Sequence, residues 1–194
     1  MATQAPSDEN DLDFTSFFPA RTVAPVTPAQ KAKIEAEALI GENEIAHGGF
    51  CVSMARPGLR PFKPIQGKAK VLVVEDEPLT SSMLQRMLTA AEYDPVPAFT
   101  GKEVVERLRD ARLPDLILMD VMLPDIEGFK ILERIRQHKV IGDIPVVMVS
   151  GRAEMTDILR GFMAGADGYV TKPTTRKALL GVIEQVMEGR RNDG

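Results

Sequence analysis

The sequence predicts an α/β fold: a doubly wound, five-stranded parallel sheet in the order 2-1-3-4-5, flanked by five helices. Ahead of it stands a mostly irregular N-terminal extension with one short helix. Three observations carry this expectation. From residue 70 onward, short apolar runs alternate five times with stretches of helical periodicity, the pattern of consecutive βα units. The first, third and fourth runs are almost purely apolar, as strands buried on both faces must be. The second run carries Pro95 and Pro97, which an edge strand tolerates and a central strand does not. That order puts a topological switch point between strands one and three, where ligands bind beyond the carboxyl ends of the strands.

The elements follow in chain order. "VLVV" (71–74) is a buried strand, and "LTSSMLQRMLTA" after it sets Leu79, Met83, Leu84, Met87 and Leu88 on one helical face. "PVPAF" (95–99) is the weak second strand. Thr100 and Glu103 then form a capping box for a helix carrying Val104, Val105 and Leu108. "DLILM" is the third strand and "GFKILERIRQH" its helix; "IPVVMVS" is the fourth strand. The next helix shows Met155, Ile158, Leu159, Phe162 and Met163 at helical spacing. "GYVTK" is the fifth strand. A last helix over roughly 174–189 turns Leu179, Leu180, Ile183, Val186 and Met187 inward. There is no internal repeat.

Composition bounds the rest. The chain has 194 residues, 44% of them hydrophobic, which is ordinary for a globular protein with a proper core. A net charge of -4 argues against a general nucleic-acid binder. One cysteine, Cys51, excludes an internal disulfide and fits a reducing, cytoplasmic setting. With only His47 and His138 beside it, a zinc site is not expected, and all three are read as inert. No run approaches the ~18 apolar residues of a membrane span, and no secretion signal is visible at the amino terminus. The composition shifts near residue 67, dividing the chain into 1–66 and 67–194. Residues 1–13 hold four acids and no base, and 55–70 hold five bases and three prolines, an extended linker by composition. Between them Thr27-Pro28-Ala29-Gln30 resembles a capping box for a helix over 28–40, with Gly41 able to stop it. Phe14, Phe17 and Phe18 in an acidic stretch suit a short docking motif that orders on binding.

The chemistry gathers at the strand ends. "DLILMDVMLPD" closes a hydrophobic strand on a carboxylate, Asp120. Strand one ends in Glu75-Asp76-Glu77, strand four in Ser150, and strand five near Lys172 ahead of Pro173. In the predicted order these strands are neighbours. Glu75, Asp76 and Asp120 repel one another unless a cation lies among them, and an all-oxygen site with room for water suits Mg²⁺. Mg²⁺ organises phosphoryl chemistry, and Lys172 with Ser150 completes a phosphate-shaped pocket. Glu77 is read as a helix-start acid.

"VLVVEDEP", "DLILMDVMLPDIEG", "VVMVSG" and "GADGYVTKP", in that order and each at a strand end, resemble the receiver domain of bacterial two-component response regulators, chemotaxis-regulator-like and flavodoxin-like in fold. The resemblance spans about 70–190. It implies that Asp120 is the phosphoacceptor, forming an acyl phosphate. It implies Asp76 and Asp120 as direct Mg²⁺ ligands, the Met122 carbonyl as a third, and Glu75 acting through water. Lys172 would pair with the phosphoryl group, Ser150 would turn inward to it, and Tyr169 matches the aromatic that follows that hydroxyl. Departures are Gly151 where alanine is commoner, Glu75 for aspartate, and Asp125-Ile126 where glycine and another residue are usual, a change expected to alter the surface a kinase reads.

The expectation is therefore a response regulator that takes its phosphoryl group from a histidine kinase or phosphotransfer protein and is not an enzyme. With no room for an output domain after 190 and no module recognised before 67, it would signal through a phosphorylation-dependent contact with a protein target or pass the group onward. The extension would dock a partner or cover the receiver's fourth and fifth helices. Two rivals stay open: a phosphorylation-independent scaffold, and a small aspartate-nucleophile phosphohydrolase. The latter wants an acid where Met122 stands.

Overall fold

The computed structural model describes residues 28, 29, 32, 51–53, 67–152 and 154–189. Its strands are β1 (Cys51–Ser53), β2 (Lys70–Val74), β3 (Asp94–Ala98), β4 (Leu116–Met119), β5 (Val146–Ser150) and β6 (Gly168–Thr171). Its helices are α1 (Pro78–Thr89), α2 (Gly101–Leu108), α3 (Gly128–Arg136), α4 (Met155–Met163) and α5 (Arg176–Gly189). The sheet runs β1-β6-β5-β4-β2-β3. Strands β2 to β6 are parallel and in the order the sequence predicts, with proline-bearing β3 at one edge. At the other edge β1 pairs antiparallel with β6. The sequence reading assigns no strand to 51–53: three residues carry too little periodicity to register.

Strand alternation divides the core. Leu72, Val74, Ile117, Met119, Val146 and Met148 face α2, α3 and α4 with Phe129, Ile131 and Phe162. Val71, Val73, Leu116, Leu118, Val147 and Val149 face α1 and α5 with Leu84, Leu88, Leu179 and Ile183. Three predicted core positions are corrected. Leu79 is 79% exposed and Met83 41%, because the buried stripe of α1 is Ser81, Leu84 and Leu88. Met163 is likewise exposed.

Helix starts follow the sequence closely. Glu77 caps α1, accepting from Leu79 N at 3.0 Å and Thr80 N at 2.5 Å. Thr100 Oγ1 accepts from Glu103 N, and Glu103 reaches back to Phe99 N, one residue earlier than in the standard box. Lys70, read as the end of the linker, is instead the buried first residue of β2, its ammonium on Asp110 and the Arg112 carbonyl. His138 is buried, and its Nδ1 accepts from Val140 N and Ile141 N, a structural role. Pro28, Ala29 and Ala32 are helical and exposed; the rest of the helix expected over 28–40, the Phe14, Phe17 and Phe18 motif and His47 lie outside the described residues.

Candidate functional site

The carboxyl ends of β2, β4, β5 and β6 converge as the predicted order requires. Lys172, just past β6, lies between two acids: its Nζ is 2.5 Å from Glu75 Oε2 and 2.7 Å from Asp120 Oδ2. Glu75 and Asp120 are buried, Asp76 is exposed, and the Lys172 side chain keeps 22% of its surface. Glu75, Asp76 and Asp120 each bring a carboxylate oxygen within 4.8 Å of the others. Burial pushes Glu75 above the usual carboxylate range, while its hydrogen bond and attraction to Lys172 pull it down. On Lys172 burial lowers the ammonium's pKa, but the bonds to Asp120 and Glu75 outweigh it and the net direction is up. One cation therefore faces three carboxylates, and the cup stays net negative. Three hard oxygen donors converging this closely can hold a divalent cation of the Mg²⁺ class.

Backbone geometry fixes Asp120. Met122 N donates to Asp120 Oδ1 at 3.3 Å, orienting the carboxylate from the following turn. Gly128 N donates to Val121 O at 2.8 Å, and a Cβ on Gly128 would lie 2.0 Å from the Asp120 carbonyl oxygen, so only glycine lets α3 start this close to the strand tip. Asp125 accepts from Gly101 N at 2.9 Å and Lys102 N at 3.2 Å, tying the loop after β4 to the first turn of α2. Sequence reasoning noted Asp125 only as an altered surface and missed Gly128; an acid able to cap a neighbouring helix has no local signature.

Ser150 and Tyr169 meet at one residue. Ser150, fully buried at the end of β5, accepts from Arg152 N at 3.1 Å, and the Tyr169 hydroxyl donates to Arg152 O at 2.9 Å. Burial pushes the Tyr169 phenol up to about 12, against a hydrogen bond with Ser150 that pulls it down. The Arg152 guanidinium bridges the turn after β4 and the start of α4, Nη2 lying 3.0 Å from Met122 Sδ and Nη1 3.5 Å from Asp157. No sequence motif singles out Arg152. Beside Lys172 a cleft of 330 Å³ opens between α1 and the Pro173-Thr174 turn, with Met83 and Thr80 on its wall. Six of the seven site residues read from the sequence sit at the carboxyl ends of adjacent strands or in the turns after them, and the seventh, Tyr169, lies within β6 and reaches the site through its hydroxyl.

Comparison with known proteins bears on this arrangement. A family model described as "Response regulator receiver domain" matches residues 71–184. The phosphate regulon transcriptional regulatory protein PhoB of Escherichia coli K12 is 39% identical over 118 residues, 61% of this chain and 51% of PhoB. The DNA-binding dual master transcriptional regulator RpaA of Synechocystis is 33% identical over 127 residues, 64% of this chain and 50% of RpaA. The chain thus spans about half the length of the curated relatives it matches. Among solved structures, a CheY-like receiver domain protein from Methanospirillum hungatei superposes with a TM-score of 0.59 at 27% identity, covering 66% of this chain and all of that one. Chemotaxis regulator CheY4 of Vibrio cholerae gives 0.58 at 28%, covering 61% of this chain and 98% of CheY4.

Proposed function

The chain belongs to the response regulator receiver family, a signalling domain, and from that premise we propose that Asp120 accepts a phosphoryl group in a two-component phosphorelay. The observation that carries this reading is the placement of Lys172 Nζ between Glu75 and Asp120, with Asp76 beside them. Asp120 Oδ attacks phosphorus, the phosphorus–nitrogen bond of a donor phosphohistidine breaks, and the electron pair leaves on the imidazole, which takes up a proton. Lys172, already 2.7 Å from Asp120, moves its charge from carboxylate to phosphoryl oxygens. Ser150 rotates its hydroxyl from the Arg152 backbone toward the new acceptor. Tyr169, hydrogen-bonded to the same backbone, follows.

Asp76, Asp120 and the Met122 carbonyl would hold Mg²⁺, with Glu75 acting through water. The ion would neutralise charge developing on the transferring phosphoryl group. The donor is a histidine kinase or phosphotransfer protein; exposed Leu79 and Met83 beside the cleft suit an apolar helix face on it. Output runs through a phosphorylation-dependent protein contact in the cytoplasm. Among the described residues no helix is long and apolar enough to cross a membrane.

The test is intact-mass analysis after incubation with acetyl phosphate. A gain of one phosphoryl group that requires Mg²⁺ and is absent in Asp120→Asn supports the reading. No gain in the wild-type chain leaves the scaffold rival, and repeated turnover of a simple phosphomonoester would favour the hydrolase.

A further inference from the structure

A parallel sheet in this order would leave β6 as an open edge, and an open edge is a template for another strand. Here the chain fills it with its own residues. Cys51 lies opposite Val170, Val52 opposite Tyr169 and Ser53 opposite Gly168. So short a strand brings few ladder bonds, and one side-chain bond adds to them: Ser53 Oγ donates to Gln185 Oε1 on α5 at 2.6 Å. The strand it grips carries Tyr169, whose hydroxyl donates to Arg152 O, while Arg152 N donates to Ser150 Oγ. Contacts therefore run without a break from the end of β5 through one backbone residue to the middle of the β1–β6 pair.

We propose that Cys51–Ser53 is a cis-acting edge strand whose hold on β6 is set by the state of Asp120: tight without a phosphoryl group, loosened with one. The proposal rests on the reading of Asp120 given above. A phosphoryl group brings strong acceptor oxygens next to Ser150. When the Ser150 hydroxyl turns to them, Arg152 N loses its acceptor, and the turn that presents Arg152 O to Tyr169 loses a tie. The Tyr169 anchor shifts with that turn. A three-residue ladder has little surplus to absorb a shift in its partner strand, whereas β5 holds β6 along four register positions on the other side. What loosening uncovers is the β6 edge, a surface suited to strand addition by a partner. The coupling is reciprocal: if phosphorylation loosens β1, loss of β1 must favour the phosphorylated form by the same factor.

Hydrogen exchange on the full chain tests this, read in peptides covering 51–53 and 168–171, with intact mass measured on the same samples. With Mg²⁺ and acetyl phosphate, exchange over 51–53 should accelerate about fivefold or more, the lower end of ordinary coupling factors. Asp120→Asn with the same reagents should show no change. Ser53→Pro removes the hydroxyl held by Gln185 and one backbone donor. It should bind beryllofluoride, a phosphoryl mimic, about fivefold more tightly in the presence of Mg²⁺ while keeping its folded circular dichroism. Phosphorylation confirmed by mass with unchanged or slower exchange over 51–53 overturns the inference and leaves the phosphoacceptor reading intact. So does unaltered beryllofluoride affinity in Ser53→Pro. Absence of any mass gain in the wild-type chain removes the phosphoacceptor reading, and the inference with it.

Discussion

The sheet carries a buried charged cluster at each end, and the two are built on opposite principles. At the amino-terminal ends of β5 and β6, Arg136 and Asp167 form a 2.9 Å ion pair with side chains 3% and 2% exposed. Arg136 Nε donates to Gly165 O, Nη1 donates to Gly142 O and Ile144 O, and Asp167 also accepts from Val146 N. Gly165 turns its carbonyl there at φ +95°, and a Cβ on it would crowd the Arg136 side chain at 3.0 Å. One positive charge meets one negative charge, with backbone acceptors around the guanidinium. At the carboxyl ends, Lys172 faces Glu75, Asp120 and exposed Asp76, and the charges do not balance. Burial alone does not separate structure from function in this molecule; charge balance does. The closed pair ties the end of α3 to the start of β6, and the cup keeps an excess of negative charge that, on the reading proposed above, a bound cation would offset.

The comparison breaks first at the closed pair. Arg136→Ala strands the Asp167 carboxylate in the interior, and the unfolding free energy from urea titration should fall by about 3–5 kcal/mol. A loss under about 1 kcal/mol would mean that the lower cluster is no more structural than a surface pair. The upper cluster should answer to a ligand instead. Saturating Mg²⁺, at about a hundred times its dissociation constant, should raise wild-type stability by about 2.7 kcal/mol. Asp76→Asn should abolish most of that gain with little change in the ion-free protein, because Asp76 is exposed. Equal Mg²⁺ stabilisation in both proteins would remove Asp76 from the ligand set.

A smaller effect with the opposite sign sharpens the contrast. Asp120→Asn takes one negative charge out of the cup, and Lys172 keeps Glu75 as its partner. Without Mg²⁺ and at low salt, the variant should be about 0.5–1 kcal/mol more stable than wild type, the usual sign for a relaxed functional site. A clear loss of stability in Asp120→Asn would make Asp120 a structural ion-pair partner first.

The same contrast explains what the sequence disclosed. The edge and central strands were legible because Pro95 and Pro97 exclude β3 from the centre and the apolar runs place β2, β4 and β5 there; the order among those three came with the family resemblance. The cup was legible because each member ends a strand, so topology alone gathers Glu75, Asp76, Asp120, Ser150 and Lys172. The closed pair was not: Arg136 lies in a helix and Asp167 in a loop, and a buried arginine leaves no periodic trace. Gly128 and Asp125 stayed hidden for a related reason. Their roles are a missing Cβ against a carbonyl and a cap on another element, both set by tertiary distance. Leu79 and Met83 misled in the other direction, since apolar residues at nearly helical spacing extended the α1 stripe beyond the face that Leu84 and Leu88 bury.

The smallest effect lies between the two ends, at Tyr169. Its phenol is pushed up to about 12 by burial, against about 10 for an unfolded chain. Below pH 10 both states hold the proton and the difference is silent. Between about 10 and 12 the unfolded chain gives up its proton while the folded chain keeps it, so unfolding is favoured progressively as pH rises. The chain has two tyrosines, so a Tyr93→Phe background isolates the signal. In that background the tyrosinate absorbance should appear late, near the loss of structure, and the alkaline slope of stability should flatten in Tyr93→Phe/Tyr169→Phe. Ionisation near pH 10 in a protein still folded by circular dichroism would mean that the ring reaches solvent. That would break the side-chain link from Tyr169 to the Arg152 carbonyl and leave only the β5–β6 ladder, with Ser150 opposite Thr171, to join Ser150 to the strand that β1 grips.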